Sequence, residues 1–352
     1  MTAFASLHPR RWTAALLVAA GLAVSAPPAA FAEDVDLSGV KLTIGIQSSG
    51  SSAAVAVVEA SQVFKDTPYE LVWANFDGAN AAVEALHAGA IDLDVGLNFS
   101  APVLNQANAS HPWTVEDRPY TIIGASKQLN RAGIAIVVHA DAGIDSMDDL
   151  AGKSVTFAKG TANHYFFALA AEAAGIPLDQ FELVLMPLSE ARAAFVGGSV
   201  DALVTAVSNA RPLVTSGDGK VLITSDGLFD QYSWFVARPE VLEDPVREAA
   251  VADVLLRLQQ SLIWQAENVE TVAAIFSEVG HQAPADALLN AQQDTNAYVP
   301  ISAEVIEANQ RQAKVFLDGG VAQSEIDASI GFDDRFNALI EANPGPTEPA
   351  TD

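Results

Sequence analysis

Four short polar segments hold most of the residues able to do binding chemistry. They are Ser48-Ser49-Gly50-Ser51-Ser52, Asn98-Phe99-Ser100-Ala101-Pro102, Gly160-Thr161-Ala162-Asn163-His164 and Ser208-Asn209-Ala210-Arg211-Pro212. Hydroxyls, carboxamides and backbone N–H groups donate hydrogen bonds without carrying charge. Three of the segments also open helical runs with favourable N-caps: the serines at 49–52, Ser100 just ahead of Pro102, and Thr161. A helix N-terminus adds unpaired N–H groups and a partial positive charge, so several such segments aimed at one point suit an oxyanion. Arg211 is the full charge best placed to help, because a guanidinium grips an oxyanion by two bonds. Lys159, at a strand end, reads as a solvated surface charge. His164 fits either donation to a ligand or a helix-start role. Phe99 and Trp234 could wall an apolar part of a ligand, although an aromatic in a half-apolar run is more often core.

Catalytic groupings are missing from the sequence. There is no G-x-S-x-G elbow, no H-E-x-x-H, no phosphate-binding Walker loop and no GxGxxG after a strand. The six histidines, His8, His87, His111, His139, His164 and His281, show no metal-ligand spacing, and the chain has no cysteine. The expectation is a protein without enzymatic activity, cofactor or metal.

The chain is 352 residues long, 50% hydrophobic and 18% charged, which is a folded, core-rich composition. Its first 32 residues read as a signal peptide: Arg10 and Arg11 form a positive start, Trp12 to Val24 is apolar, and Ala30-Phe31-Ala32 fits a cleavage site. Cleavage after Ala32 by the general secretory route would leave a periplasmic protein beginning at Glu33. No later window stays apolar and uncharged for about 18 residues. Without cysteine, neither disulfides nor a lipid-anchored N-terminus is available. The mature chain would hold 16 Lys and Arg against 44 acids, a net charge of about −28. That balance argues against nucleic acid and anionic lipid surfaces as partners. It leaves a small anionic ligand open, because distant surface charges are screened within about 8 Å at physiological salt.

The segments that must position these residues repeat. Leu42 to Ile46 reads as a buried strand leading through the 47–52 turn into a helix, Ala53 to Phe64. Ser154 to Ala158, the turn 159–163 and the helix His164 to Ala174, closed by Gly175, follow the same grammar. Downstream, Ala85 to Asp92 and Ala194 to Asp201 both read as a helix end, a glycine cap, an aspartate and a strand start. Gly50 to Asp92 spans 42 positions and Gly160 to Asp201 spans 41, so two similar α/β lobes are expected. Alternating strands and helices predict a mostly parallel sheet in each, with ligand at the carboxyl ends of the strands. Each lobe then offers two of the four polar segments to a shared cleft. Helices are expected over Asp244–Glu267, Val269–Val279, Pro284–Thr295 and Ala303–Asp318. Residues 33–130 with 235–340 form the first expected lobe, 131–234 the second, and 341–352 a disordered tail.

From Lys41 to Phe316 the chain resembles the aliphatic sulfonate, taurine and nitrate group of periplasmic ABC-transporter binding proteins, most closely the aliphatic sulfonate-binding members. The resemblance is carried by Lys159-Gly160-Thr161-Ala162-Asn163-His164-Tyr165, by Leu188 to Phe195 and by Gly198-Ser199-Val200-Asp201-Ala202, with weaker matches at Gly45 to Gly50 and Gly96 to Pro102. It implies the type II periplasmic binding fold, two α/β lobes joined by a two-strand hinge, and an oxyanion shell of Ser48, Ser49, Gly50, Ser100, Gly160, Thr161 and Asn163. Asn98, Phe99, His164, Ser208, Asn209, Arg211 and Trp234 complete the expected ligand site. The function implied is capture of a small organic oxyanion, an aliphatic sulfonate first, for an inner-membrane ABC permease, by a monomer. Nitrate or taurine binding and a ligand-sensing role are the alternatives. The sequence departs from the group's usual pattern at Asn98-Phe99-Ser100 and at Ala206-Val207-Ser208. The second departure removes an acid that could pair with a ligand amine.

Overall fold

A computed structural model of the protein describes residues 35–47, 51–76, 78–293 and 295–347. The expected signal peptide and the predicted ligand residues Ser48, Ser49 and Gly50 lie outside the described residues. The chain begins with β1 (Lys41–Gln47), α1 (Ser51–Ser61), β2 (Glu70–Phe76), α2 (Ala79–His87), β3 (Leu93–Leu97), α3 (Ala101–Ala107) and β4 (Thr121–Gln128). It continues with β5 (Ile134–His139), α4 (Met147–Leu150), β6 (Ser154–Phe157), α5 (Ala162–Ala174), β7 (Glu182–Leu185), α6 (Leu188–Val196), β8 (Ala202–Ala206), α7 (Val207–Ser216) and β9 (Gly219–Thr224). It closes with β10 (Tyr232–Ala237), α8 (Pro239–Glu243), α9 (Pro245–Glu267), α10 (Val269–Glu278), α11 (Pro284–Gln293), β11 (Asn296–Val299), α12 (Ala303–Asp318) and α13 (Asn337–Ala342).

Two sheets result, ordered β11-β4-β10-β3-β1-β2 and β7-β6-β8-β5-β9. Omitting β11, each has the same arrangement of a parallel trio, β2-β1-β3 or β7-β6-β8, followed by a strand contributed from the other side of the chain's crossing. That strand, β10 in one sheet and β5 in the other, pairs antiparallel on both sides. Each sheet is therefore mixed rather than mostly parallel. The expectation overlooked the crossings, since a strand returning from the opposite lobe enters against the direction of the trio. The crossings at 129–133 and 225–231 are tied together by Gln128 N–H to Gln231 O at 2.9 Å and by Ser225 Oγ to Arg131 O at 2.8 Å. Lys127 and Arg131 both face Asp230 there, at 2.9 and 3.7 Å.

The sequence echo has a physical cause. In each lobe an aspartate just before the third strand uses a carboxylate oxygen to accept the backbone N–H at the start of the first. Asp92 takes Thr43 N–H and Asp201 takes Ser154 N–H, both at 2.8 Å. Ser154 Oγ adds a second bond, and these donors hold the Asp201 carboxyl below its ordinary range.

Side-chain pattern and capping account for the elements. β5 reads Ile-Ala-Ile-Val-Val and is buried on both faces, as a strand inside a covered sheet must be. α9 starts at Asp244, whose side chain accepts the N–H groups of Val246 and Arg247, with Pro245 at the first helical position. α5 starts at Thr161 and stops at Gly175, a residue at φ +71° that a side chain would strain. The four predicted C-terminal helices form within two residues of their expected ends. Residues 341–347 depart from the expected disorder. Glu341 and Ala342 belong to α13, and the Asn343 carbonyl accepts Gln259 Nε2–H at 3.0 Å, so α9 anchors this stretch despite its prolines.

Candidate functional site

A cleft of about 790 Å³ lies where the two lobes face each other. The first lobe lines it with Gln47 at the end of β1, the start of α2 from Gly78 to Ala81, Asn98 after β3, Ala101, Leu104 and Asn105 on α3, and Asn108 just after it. The second lobe contributes Lys159, Gly160 and Thr161, the turn that opens α5. Five carboxamides, one ammonium group and two helix starts thus surround the space, and no carboxylate is among the described lining residues. The described lining thus carries one cation and no acid, in a chain with 44 acids against 18 Lys and Arg.

Hydrogen bonds orient several of these amides. Asn98 Oδ1 accepts Ser100 N–H at 3.1 Å and Asn108 Oδ1 accepts Gln323 N–H at 3.2 Å, which turns both amide nitrogens away from those partners as donors. The Gly160 turn is built from beneath by His164. Its Nδ1 accepts Gly160 N–H at 3.1 Å, so the ring is neutral with its proton on Nε2. Burial, with Lys159 second, pushes the His164 pKa down to about 4. Thr161 Oγ1 donates to Ala158 O at 2.8 Å and its side chain caps α5. Gly160 has φ +73°, and a Cβ there would meet Leu104 Cδ1 across the cleft at 2.8 Å. Only glycine lets this turn sit so close to α3.

The predicted residues separate clearly. Asn98, Gly160 and Thr161 line the cleft, and His164 supports it from the core. Ser100 is buried and accepts Gln312 Nε2–H at 3.0 Å through Oγ, with no side-chain cap on α3. Phe99 and Trp234 are core, not wall. Their rings lie 5.8 Å apart, Trp234 is fully buried, and its Nε1–H donates to Phe99 O at 2.9 Å. Tyr165 of α5 and Phe316 of α12 join this cluster, so apolar contact crosses between the lobes here. Asn163 is half-buried on the first turn of α5, outside the lining. Ser208, Asn209 and Arg211, expected on a loop, lie in α7, which continues through Pro212. Arg211 instead bridges the lobes. Its Nη1 donates to Asn290 Oδ1 at 2.7 Å and its Nη2 to Gln293 Oε1 at 2.8 Å, both on α11.

Two neutral acceptors hold this guanidinium, and bonds to charged groups contribute about 1.5 to 3 kcal/mol each. Arg211→Ala is therefore expected to favour wider separation of the lobes, read as a larger radius of gyration by small-angle scattering of the ligand-free protein. Unchanged dimensions would show that the bridge does not hold the lobes together.

Sequence reasoning missed Gln47, Gly78 to Ala81, Asn105 and Asn108, and gave Lys159 to solvent. The glycine ahead of the α2 run was the available signal for a helix start. Which helix start meets the cleft depends on the packing of α2 beside α3.

Two mixed sheets, a double crossing and a ligand-sized cleft between the lobes define the periplasmic binding protein fold. The comparisons agree with that class. Residues 78–229 match the NMT1/THI5 like family. A protein of Escherichia coli strain K12 named as aliphatic sulfonates-binding is 25% identical over 299 residues, covering 84% of this chain and 90% of that one. The crystal structure of the periplasmic aliphatic sulphonate binding protein SsuA from Escherichia coli superposes with a TM-score of 0.74 at 21% identity, over 90% of this chain and 95% of that chain. The alkanesulfonate-binding protein SsuA from Xanthomonas axonopodis pv. citri, bound to MOPS, gives 0.70 at 21% identity over 84% and 99%. The resemblance read from the sequence, to aliphatic sulfonate-binding proteins, is borne out. Among the described residues no helix is long and apolar enough to cross a membrane.

Proposed function

We propose that this protein is the periplasmic solute-binding component of an ABC importer, and that its cleft captures a small organic oxyanion, an aliphatic sulfonate first. The observation that carries the reading is the lining: amide donors, Lys159 and the starts of α2 and α5, with no acid among the described lining residues. A sulfonate spreads one negative charge over three oxygens, and dispersed N–H donors match it better than a single cation does. Leu104 and Ala101 offer an apolar side to an alkyl tail. The lobes would close over the ligand by bending at 129–133 and 225–231, and the closed form would be the one a permease recognises. No chemical step is required of the site.

A thermal-shift screen across sulfonates, sulfate esters, phosphonates, nitrate and carboxylates tests the class, because a ligand that binds only the folded state raises the melting temperature. Alkanesulfonates should give the largest shifts. Methane-, ethane- and hydroxyethanesulfonate should bind more tightly than taurine by calorimetry, since burying an ammonium with no anionic partner costs on the order of several kcal/mol. Tighter taurine binding would require an acid beyond the described lining residues. Asp230 is a poor candidate, being engaged by Lys127 and Arg131. Export is tested separately: intact mass of the periplasmic protein should place Glu33 first, and a form retaining Met1 would remove the periplasmic assignment.

A further inference from the structure

Behind the cleft wall sits a carboxyl group that nothing in the binding account has used. Asp94, in β3, is fully buried. Its Oδ1 accepts Gln47 Nε2–H at 3.1 Å, while its Oδ2 has no hydrogen-bond partner among the described residues. The space it occupies exists because β1 carries glycine directly opposite: Gly45 pairs with Asp94, and a Cβ at 45 would fall 2.6 Å from Oδ2. The same Gln47 lines the cleft. One side chain therefore connects a buried acid to the ligand space.

A carboxylate only accepts, so an ionised Asp94 fixes the Gln47 amide with its NH2 inward and its Oε1 toward the cleft. A protonated carboxyl can donate its O–H to Oε1, and the amide then presents NH2 outward. We propose that Gln47 is a specificity-determining residue of the cleft, and that a proton on Asp94 decides whether the ligand meets its carbonyl or its NH2. Oxyanion capture would then be coupled to uptake of one proton from solvent, leaving Asp94 neutral beneath a bound anion. The inference rests on the oxyanion reading of the cleft.

The surroundings favour the neutral form of Asp94. Burial pushes its pKa up to about 7, opposed only by the bond from Gln47. The titratable group that senses its charge is the Tyr120 phenol, itself buried and without a hydrogen-bond partner among the described residues. His87 of α2 stacks on that phenol at 6.5 Å. Val236 of β10 lies beside Asp94 in the sheet and carries no charge. Asp92, two residues earlier, is committed to Arg247 at 2.6 Å and to Thr43 N–H. Lys159 faces the cleft from the other lobe. His164 titrates near 4 and stays neutral across the window of interest.

Two measurements on the full mature protein test this. Without ligand, the Gln47 side-chain amide nitrogen should shift in NMR in step with the Asp94 carboxyl carbon between pH 5.5 and 8.5. With ethanesulfonate, calorimetry over the same range should show affinity falling about tenfold or more toward pH 8.5, with close to one proton taken up per ligand at pH 8.5 and almost none at pH 5.5. In Asp94→Asn, and in Gln47→Met should the first variant fold poorly, the affinity should lose this pH dependence. Through-space repulsion by Asp94 alone would survive in Gln47→Met, so a persisting slope there overturns the proposal. An amide signal that ignores the carboxyl titration overturns it as well, whatever the protein binds. If the amide follows the carboxyl but no sulfonate binds at any pH, the switch stands and the oxyanion reading fails.

Discussion

Lys159→Glu is expected to reduce alkanesulfonate affinity by about 100-fold or more. Lys159 is the one cation among the described lining residues, and it sits next to the Gly160 turn at the start of α5. The substitution removes a charge-assisted bond, about 1.5 to 3 kcal/mol, and adds an acid where the described lining has none. Two unit charges 5 Å apart at an effective dielectric of 20 repel by about 3 kcal/mol, so either part alone exceeds a tenfold change. Lys159→Gln should fall between, at roughly tenfold. Calorimetric titration with ethanesulfonate checks the series at low and high salt. Equal affinity in all three proteins would return Lys159 to the solvated surface charge that its place at a strand end suggested.

The second large effect is a pair of opposed pH dependences hidden in the wild type. Asp94 has an ordinary value of 3.8 and is pushed up to about 7 in the fold, so between those values the native state holds a proton that the unfolded chain has lost. Its contribution makes stability fall as pH rises through that window. His164 runs the other way: lowered from 6.5 to about 4, it stays neutral in the fold while the unfolded chain takes a proton, so stability rises with pH between 4 and 6.5. Each group supplies a slope of up to about 1.4 kcal/mol per pH unit, and where the windows overlap the slopes cancel. Asp94→Asn minus wild type should therefore rise with pH from about 4 to 7, gaining up to about 4 kcal/mol. His164→Gln minus wild type should fall from about 4 to 6.5, by up to about 3 kcal/mol. Urea unfolding at half-unit pH intervals reads both differences. Flat difference curves would mean that neither group keeps its unusual protonation state in the folded protein.

These residues also show where sequence reasoning succeeds. The 42- and 41-residue echoes led to two lobes because Asp92 and Asp201 perform one backbone-bonding task at matching places. Thr161 and Gly175 announced helix ends through local chemistry that needs no partner. The antiparallel strands β5 and β10 were hidden because their direction follows from the crossings, not from their own residues. Arg211 looked like a ligand contact until α11, about 80 positions later in the chain, supplied Asn290 and Gln293. Phe99 and Trp234 resolved toward the core once Tyr165 and Phe316 closed around them. Lys159 and Gln47 gained their roles from what stands across from them, which no spacing along the chain encodes.

The most direct test of the central claim is a crystal structure of the mature protein with ethanesulfonate. The sulfonate is predicted between the lobes, its oxygens within hydrogen-bond reach of the N–H groups that open α2 and α5 and of Lys159 Nζ, with the ethyl group toward Leu104. A sulfonate held outside this cleft, for example in the 530 Å³ hollow lined by His87, His111, Arg118 and Arg238, would contradict the account.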